Sequence, residues 1–170
     1  MRFSLIDRIV ALKAGEEITA VKSLSLAEDY LAEHFPLFPV LPGVFMLEAM
    51  TQAGAWLVRY SEDFAHSVVV LKEARNVKYA DFVEPGNILT LQARLLKQDQ
   101  RTATLKAEGL VDGKSNVSAR LVLERYNLAE TNADDAEMDL RSIRDQRELF
   151  RILHRPSATA AADQQAPGGA

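Results

Sequence analysis

One long segment of this chain is apolar on nearly every side, and segments of mixed apolar and polar character lie before and after it. The apolar segment covers residues 43–60 and predicts a helix. Because a helix of that kind belongs in an interior, we expect it to be buried. Before it, residues 5–12 and 18–24 predict two strands joined by a turn, and residues 26–33 predict a short helix or turn.

Strand-like segments follow the helix, with turn sequences at residues 84–87 and 112–114 between the later ones. The last three segments read as a meander, and Leu89, Leu91 and Ala93 fall on one face of the first of these. The predicted strands are 67–72, 74–79, 88–97, 102–111 and 115–126. One buried helix with about six strands is typical of the α+β class, with a helix packed on an antiparallel sheet.

The character of the chain changes at about residue 127. Residues 128–133 read as a linker, and Asp134 is the predicted cap of a further helix that reaches about residue 154. Acidic residues early in this helix, Asp139 among them, and arginines later in it complement a helix dipole. Its predicted apolar side consists of Met138, Ile143, Phe150, Ile152 and Leu153. We therefore divide the chain into a domain at 1–126, a linker with a C-terminal helix at 127–155, and a disordered tail at 156–170.

The composition of the chain excludes some classes of function but does not identify one. The chain has 170 residues, is 48% hydrophobic and 26% charged, and carries a net charge of −4 without a basic tract, which argues against nucleic acid as a partner. It contains no cysteine, which excludes disulfides and fits a cytoplasmic location. The N-terminus does not resemble a secretory signal, and the longest apolar run, residues 44–58, is too short for a membrane span of about 20 residues.

Residues 33–52 hold the most informative chemistry. His34 lies in a loop that Pro36, Pro39 and Pro42 stiffen, because each proline fixes its own φ. Glu48 follows inside the apolar helix, whose start at Gly43 offers backbone N–H groups. A base, an acid and a helix N-terminus close together predict a catalytic site.

This string resembles the 3-hydroxyacyl-[acyl-carrier-protein] dehydratases, the FabZ type of hotdog-fold enzyme. The similarity covers about residues 3–126. The residues that carry it are His34-Phe35-Pro36, Pro39, Pro42-Gly43-Val44, Glu48-Ala49 and Gln52.

The resemblance implies a hotdog fold, in which an antiparallel sheet wraps around one long central helix. It also implies a hydro-lyase of fatty acid biosynthesis that converts (3R)-3-hydroxyacyl-[acyl-carrier-protein] to the trans-2-enoyl thioester. This reaction requires no metal and no organic cofactor. By the same resemblance we expect a homodimer or a trimer of dimers, acyl carrier protein as partner, and a histidine and a carboxylate that meet across the dimer interface.

The reaction assigns a role to each residue. His34 suits the base that removes the C2 proton, and Glu48 suits the acid that protonates the departing C3 hydroxyl group. The Gly43 N–H suits the thioester oxygen. Gln52, one turn after Glu48, is expected to orient it. The candidates for the acyl channel are Phe45, Met46, Met50, Val77, Tyr79 and Phe82.

Two departures from the family pattern concern the mouth of the site. Leu37-Phe38 replaces Gly-Arg, and Ala80-Asp81 replaces a basic pair, so that steering of an acidic carrier is weakened. The remaining docking candidates are Arg59, Lys72, Arg75 and Lys78. Two alternatives therefore stay open: a dehydratase of a specialised pathway that acts on another carrier or on coenzyme A thioesters, and a non-catalytic acyl-binding hotdog protein.

Overall fold

Within residues 3–154, which the structure (a computed structural model) describes, six strands form one sheet around a central helix. The interpretation of residues 156–170 as a disordered tail lies outside the described residues. Three single turns of 3-10 helix occur at Asp29–Leu31, Leu128–Glu130 and Ala133–Asp135. The main elements are β1 (Arg8–Lys13), β2 (Glu17–Ser23), α1 (Gly43–Ser61), β3 (Val68–Tyr79), β4 (Ile88–Gln98), β5 (Thr102–Val111), β6 (Lys114–Tyr126) and α2 (Ala136–Leu153).

The sheet has the order β1-β2-β4-β5-β6-β3, and every neighbouring pair is antiparallel. The predicted α+β class and the predicted meander of β4, β5 and β6 are therefore confirmed. β1 and β3 are the two edges of this sheet. The arrangement of a curved antiparallel sheet around one helix is the hotdog fold.

Helix α1 fills the concave side of the sheet, and its prediction from apolar character is confirmed. Met50 and Leu57 are fully buried in one core with Leu105 and Leu121 of the sheet. Each such leucine contributes about 1.5–3 kcal/mol by leaving water. Small residues let α1 approach the sheet closely. A Cβ at Gly54 would already lie 3.4 Å from side-chain atoms of Leu105 and Leu123.

Strand β3 corrects one prediction. The separate strands predicted at 67–72 and 74–79 are a single strand, Val68–Tyr79. Its pairing with β6 shifts register between Leu71 and Glu73 and again between Arg75 and Lys78, as β-bulges do. Asn76, inside the second irregularity, has φ of 53°, a left-handed conformation that asparagine tolerates. The bulges interrupt the alternation of apolar and polar residues. Because of that interruption, the sequence pattern predicted two strands instead of one.

The segment between β6 and α2 also differs from its prediction. Residues 128–133 are not a plain linker, since they contain one 3-10 turn and lead into a second. The Asn127 and Glu130 side chains form a capping box around the first turn. Asp134 does not cap α2: the N-cap residue is Asp135, whose side chain makes no capping bond.

Asp139 fixes α2 to the rest of the molecule. Its buried carboxylate accepts hydrogen bonds from the backbone N–H groups of Leu128 and Ala129, both at 2.9 Å, and from the Ser67 hydroxyl group. Asp139 does lie in the first turn of α2, as the charge pattern predicts, and its buried hydrogen bonds are a further role that the pattern did not indicate. Because Ser67 directly precedes β3, the contact joins α2 to an edge of the sheet.

Aromatic packing holds the other end of α2 on α1. The buried Phe150 ring stacks on Tyr60 at 5.1 Å and lies 6.0 Å from Trp56 and 5.5 Å from Phe64. His154, just after α2, forms a bridge with Ile9 of β1. Helix α2 therefore crosses the C-terminal half of α1 from the β3 side of the sheet to the β1 side.

The apolar side predicted for α2 is only partly the side that packs. Phe150 and Leu153 are buried and Ile143 packs against the core, whereas Met138 and Ile152 are exposed. Neither helix in the described part of the chain is long and apolar enough to cross a membrane.

We expect Asp139→Asn to lower the melting temperature at pH 7, because the amide offers one acceptor oxygen instead of two. Burial alone raises the pKa of Asp139, but the hydrogen bonds from Ser67, Ala129 and Leu128 outweigh it, so the pKa lies below its ordinary value. The stability that Asp139 contributes is therefore present above about pH 4 and is lost as the pH falls through the lowered pKa.

Thermal unfolding at several pH values checks this expectation, with Asp134→Asn on the exposed surface as the matched control. The difference between wild type and Asp139→Asn should narrow below about pH 4. A difference that is absent at pH 7, or that is the same at every pH, contradicts the assigned role.

Candidate active site

The loop that carries His34 is fixed at several points along its backbone. The His34 N–H donates to Tyr30 O at 3.2 Å, and the Leu41 N–H donates to Val83 O at 2.8 Å. Between them, Phe38 N–H donates to Phe35 O at 2.7 Å, which closes a turn. Phe35 has φ of 52°, and its ring lies 4.4 Å from the imidazole. These contacts and the three prolines hold the partly buried imidazole in one region.

His34 lines a cavity of about 330 Å³ at the start of α1. Gly43, Met46, Tyr79 and Phe82 line it too. A Cβ at Gly43 would lie 3.1 Å from Cε1 of Tyr79, so that glycine lets the tyrosine ring close over the helix start. As the first residue of α1, Gly43 has an N–H without an acceptor within the helix, which is the donor that an oxyanion requires.

Glu48 lines a different cavity, of about 370 Å³. Helix α1 forms its floor, since Glu48, Gln52, Ala55 and Arg59 recur at helical spacing on one face. The walls come from the N-terminal segment, from β3 and from α2. They consist of Phe3 and Ser4, Val69, Val70 and Leu71, and Ser142, Gln146 and Leu149.

Gln52 holds the Glu48 carboxyl group in place. Its Nε2 donates to Glu48 Oε1 at 2.9 Å and to Phe3 O at 3.1 Å, and its Oε1 accepts from the Leu5 N–H at 2.9 Å. The amide is thus anchored on backbone that is separate from α1. As a result, Glu48 faces its cavity with one oxygen held by Gln52, and within residues 3–154 no hydrogen bond to the other oxygen is seen.

Within one chain, His34 and Glu48 line separate cavities. The His34 cavity contains the imidazole and the start of α1 at Gly43, and the Glu48 cavity contains the carboxyl group and Gln52. A single chain therefore does not bring the predicted base and the predicted acid into one cavity.

The structure divides the predicted acyl-channel residues into two groups. Met46, Tyr79 and Phe82 line the His34 cavity. Phe45 instead packs edge-on against Tyr30 at 4.9 Å. Met50 is fully buried in the core, and Val77 packs against that core. These last three occupy packing positions away from both cavities.

The predicted docking cations also have different surroundings. Lys72 pairs with Glu124 at 2.8 Å, and Arg75 pairs with the adjacent Glu73 at 2.6 Å. Lys78 is exposed on β3. Arg59 lines the Glu48 cavity. The local positive charge on this side of the sheet is thus smaller than the sequence indicates.

The two departures from the family pattern meet at the His34 cavity. Leu37 is fully exposed, and the half-exposed Phe38 ring packs edge-on against Phe82 at 5.6 Å. Asp81 lines the cavity and accepts from the Phe82 N–H at 2.8 Å. The rim of this cavity is therefore apolar and acidic where the family pattern is basic.

Sequence reasoning missed several residues of the Glu48 cavity. Thr51 and Trp56 are one and two turns beyond Glu48, so helical spacing from Glu48 could have identified them. Ser142, Gln146 and Leu149 could not be found in this way. They reach the cavity only because α2 folds back across α1.

Comparison with known proteins agrees with this architecture. The dehydratase heterocomplex ApeI:P from Xenorhabdus doucetiae superposes with a TM-score of 0.61 at 24% identity, covering 75% of this chain and 86% of that one. The smu.793 protein of Streptococcus mutans, solved with acetyl CoA, gives 0.57 at 13% identity, covering 74% and 92%. Both likenesses concern the hotdog fold.

Similarity in sequence is more specific. Residues 1–120 match the FabA-like domain. A FabZ 3-hydroxyacyl-[acyl-carrier-protein] dehydratase of Lactococcus lactis is 38% identical over 112 residues, which is 66% of this chain and 77% of the relative. The FabZ protein of Albidiferax ferrireducens is 38% identical over 122 residues, 70% of this chain and 81% of the relative. The chain belongs to the FabA-like family, and α2 lies beyond the matched domain.

We expect Gln52→Leu to destabilise the fold by about 1–3 kcal/mol, because the buried Leu5 N–H loses its acceptor and Phe3 O loses its donor. Because Gln52 would no longer hold the Glu48 carboxyl group, the rate of any reaction at this site should also fall. Urea unfolding measures the first effect. Gln100→Leu, in the exposed turn between β4 and β5, is the control and should change stability by less than about 0.5 kcal/mol. Equal stability of the two variants would show that Gln52 does not anchor the N-terminal segment.

Proposed function

We propose that this protein dehydrates (3R)-3-hydroxyacyl-[acyl-carrier-protein] to the trans-2-enoyl thioester in fatty acid biosynthesis. The observation that carries the proposal is the pair of half-sites: an imidazole and the helix start at Gly43 in one cavity, and a carboxyl group held by Gln52 in a second cavity. Several FabZ dehydratases are similar to most of the chain.

The chemistry follows from these groups. The imidazole of His34 takes the C2 proton, and the electrons of that C–H bond move towards the thioester carbonyl. The Gly43 N–H, at the positive end of α1, stabilises the negative charge on that oxygen. Glu48, in its protonated form, gives its proton to the C3 hydroxyl group. The C3–O bond breaks, water leaves, and the C2–C3 double bond forms. Return of the proton from His34 to Glu48 through solvent restores the starting state.

The active unit in this proposal is a dimer in which His34 of one subunit meets Glu48 of the other. The separation of the two residues into different cavities of one chain supports this arrangement. Edge strand β3, 12 residues long with an exposed Val70, supports pairing of sheets between subunits. A two-fold axis then makes two identical composite sites.

Acyl carrier protein is the proposed partner, because the FabZ relatives are named for that substrate. Lys78 on β3 and the exposed Arg141 and Arg144 on α2 offer positive charge to an acidic carrier. We place the reaction in the cytoplasm, which the absence of cysteine supports.

One observation favours a second substrate class. Lys72 and Arg75 are paired with carboxylates, and Asp81 lines the same cavity as His34, so the mouth attracts an acidic carrier weakly. A coenzyme A thioester would then be used as well. Comparing kcat/KM for one acyl group on the carrier and on coenzyme A separates the two substrates.

We expect His34→Ala and Glu48→Gln each to lower kcat/KM by about 10²–10⁴, the usual contribution of a positioned general acid or base. Formation of the enoyl thioester by purified protein is the measurement. Glu84→Gln, on an exposed turn, is the control and should retain full activity. Failure of wild type to form the enoyl product, with acyl thioesters still bound, would favour the non-catalytic binding protein.

A further inference from the structure

The Glu48 cavity is polar at the end away from Glu48. Arg59 lies about three helical turns beyond Glu48 on the same face of α1, an axial distance of about 16 Å. Ser142 and Gln146 of α2 line the cavity with it. An acyl channel for a plain hydrocarbon chain requires apolar walls to its end, and this cavity does not have them.

Arg59 is a cation without a carboxylate partner among the described residues. Its Nη2 has one long contact, 3.4 Å to Val69 O, and its guanidinium lies 5.3 Å from the Trp56 ring. Burial lowers the pKa of Arg59 to about 10, so the group is still charged at neutral pH. A partly buried charge without a counter-ion is costly, and an anion in the cavity would remove that cost.

Helix α2 closes the cavity on this side and fixes its polar wall. Gln146 Nε2 donates to Ser67 O at 2.7 Å and to Ser142 Oγ at 3.0 Å, which sets the direction of the amide. Its Oε1 is buried without a donor among the described residues. Arg59 and α2 thus build an end that is charged and hydrogen-bonding.

The direction of the acyl chain rests on the proposed function. The thioester lies at the Gly43 N–H of one subunit and C3 lies at Glu48 of the other, so the rest of the chain continues along α1 towards Arg59. A methyl end would bury itself against a guanidinium group. A carboxylate end would form a charge-assisted hydrogen bond there.

We propose that Arg59 is a specificity-determining residue and that the preferred substrates are 3-hydroxyacyl thioesters whose far end carries a carboxylate. Helix α2, which lies outside the FabA-like match, supplies the wall that makes this end of the cavity.

The test compares two substrate series of equal chain lengths, one ending in methyl and one ending in carboxylate, on the full-length protein. For wild type, kcat/KM at the best length should be at least about tenfold higher for the carboxylate, the effect of one charge-assisted hydrogen bond. Arg59→Gln and Arg59→Met should lower the ratio of kcat/KM, carboxylate-ended to methyl-ended substrate, to one or below. Arg120→Met, at an exposed position on β6, should leave it unchanged.

Three results overturn the proposal. The first is a wild-type preference for methyl ends, and the second is an unchanged ratio of kcat/KM, carboxylate to methyl, in both Arg59 variants. The third is dissociation of the oligomer in those variants, with an equal loss of kcat/KM for both substrate series. The last result would show that Arg59 contacts a second copy of the chain. A second measurement separates this proposal from the proposed dehydratase activity. Calorimetry measures the binding of thioesters with the same acyl groups but without the 3-hydroxyl group, which the protein cannot dehydrate. Absence of turnover would reject the dehydratase, whereas equal binding of both ends would reject the role of Arg59.

Discussion

Both candidate half-sites depend on how the sheet encloses α1. The sheet covers most of the helix and leaves one face open, and that face carries Glu48. The N-terminal segment before β1 covers part of it, and Gln52 joins the two by bonding Phe3 O, Leu5 N–H and Glu48 at once. A side chain whose three hydrogen bonds are satisfied in this way holds a carboxyl group more firmly than one that faces solvent. The position of the Glu48 carboxyl group is therefore set by packing of the fold as well as by the identity of residue 48.

The separation of His34 from Glu48 gives the proposed dimer a role in the proposed reaction. His34 lies on a loop before α1 and Glu48 lies on α1, yet the two residues line separate cavities, and Gly43 and Met46 belong to the His34 cavity. General acid–base catalysis requires both groups within reach of adjacent carbon atoms. In the proposed dimer, the edge strand β3 brings the second chain to the face where Glu48 lies, and one contact serves both stability and catalysis.

Much of the fold was predictable from local patterns. The helix at 43–60 followed from an apolar run that only burial explains, and β4 to β6 followed from alternation and turn residues. Strand β3 was predicted as two strands, since bulges break the alternation without breaking the strand. The predicted cap of α2 was wrong because Asp134 lies inside a 3-10 turn, Ala133–Asp135, whose own cap is Asn132. Asp139 was predicted only as an acidic residue early in the helix, because nothing near it in sequence indicates its hydrogen bond with Ser67.

The candidate site also has a part that was predictable from the sequence and a part that was not. His34, Gly43, Glu48 and Gln52 were identified from one continuous string, and the contact between Gln52 and Glu48 follows from their spacing of one turn. Arg59 was predicted only as a candidate for docking the carrier protein. Its place in the Glu48 cavity depends on α2, whose position is fixed by Asp139 and Phe150 far along the chain. Contacts between distant segments leave no local pattern, so the far end of the cavity required the structure.

The most direct measurement concerns a hybrid of two inactive chains. His34→Ala and Glu48→Gln subunits, carrying different affinity tags, are produced together, and the mixed dimer is purified through both tags. If each site takes its histidine from one chain and its glutamate from the other, the hybrid has one intact site. Its activity should then be about half that of the wild-type dimer. A hybrid as inactive as its two parents would contradict the shared site.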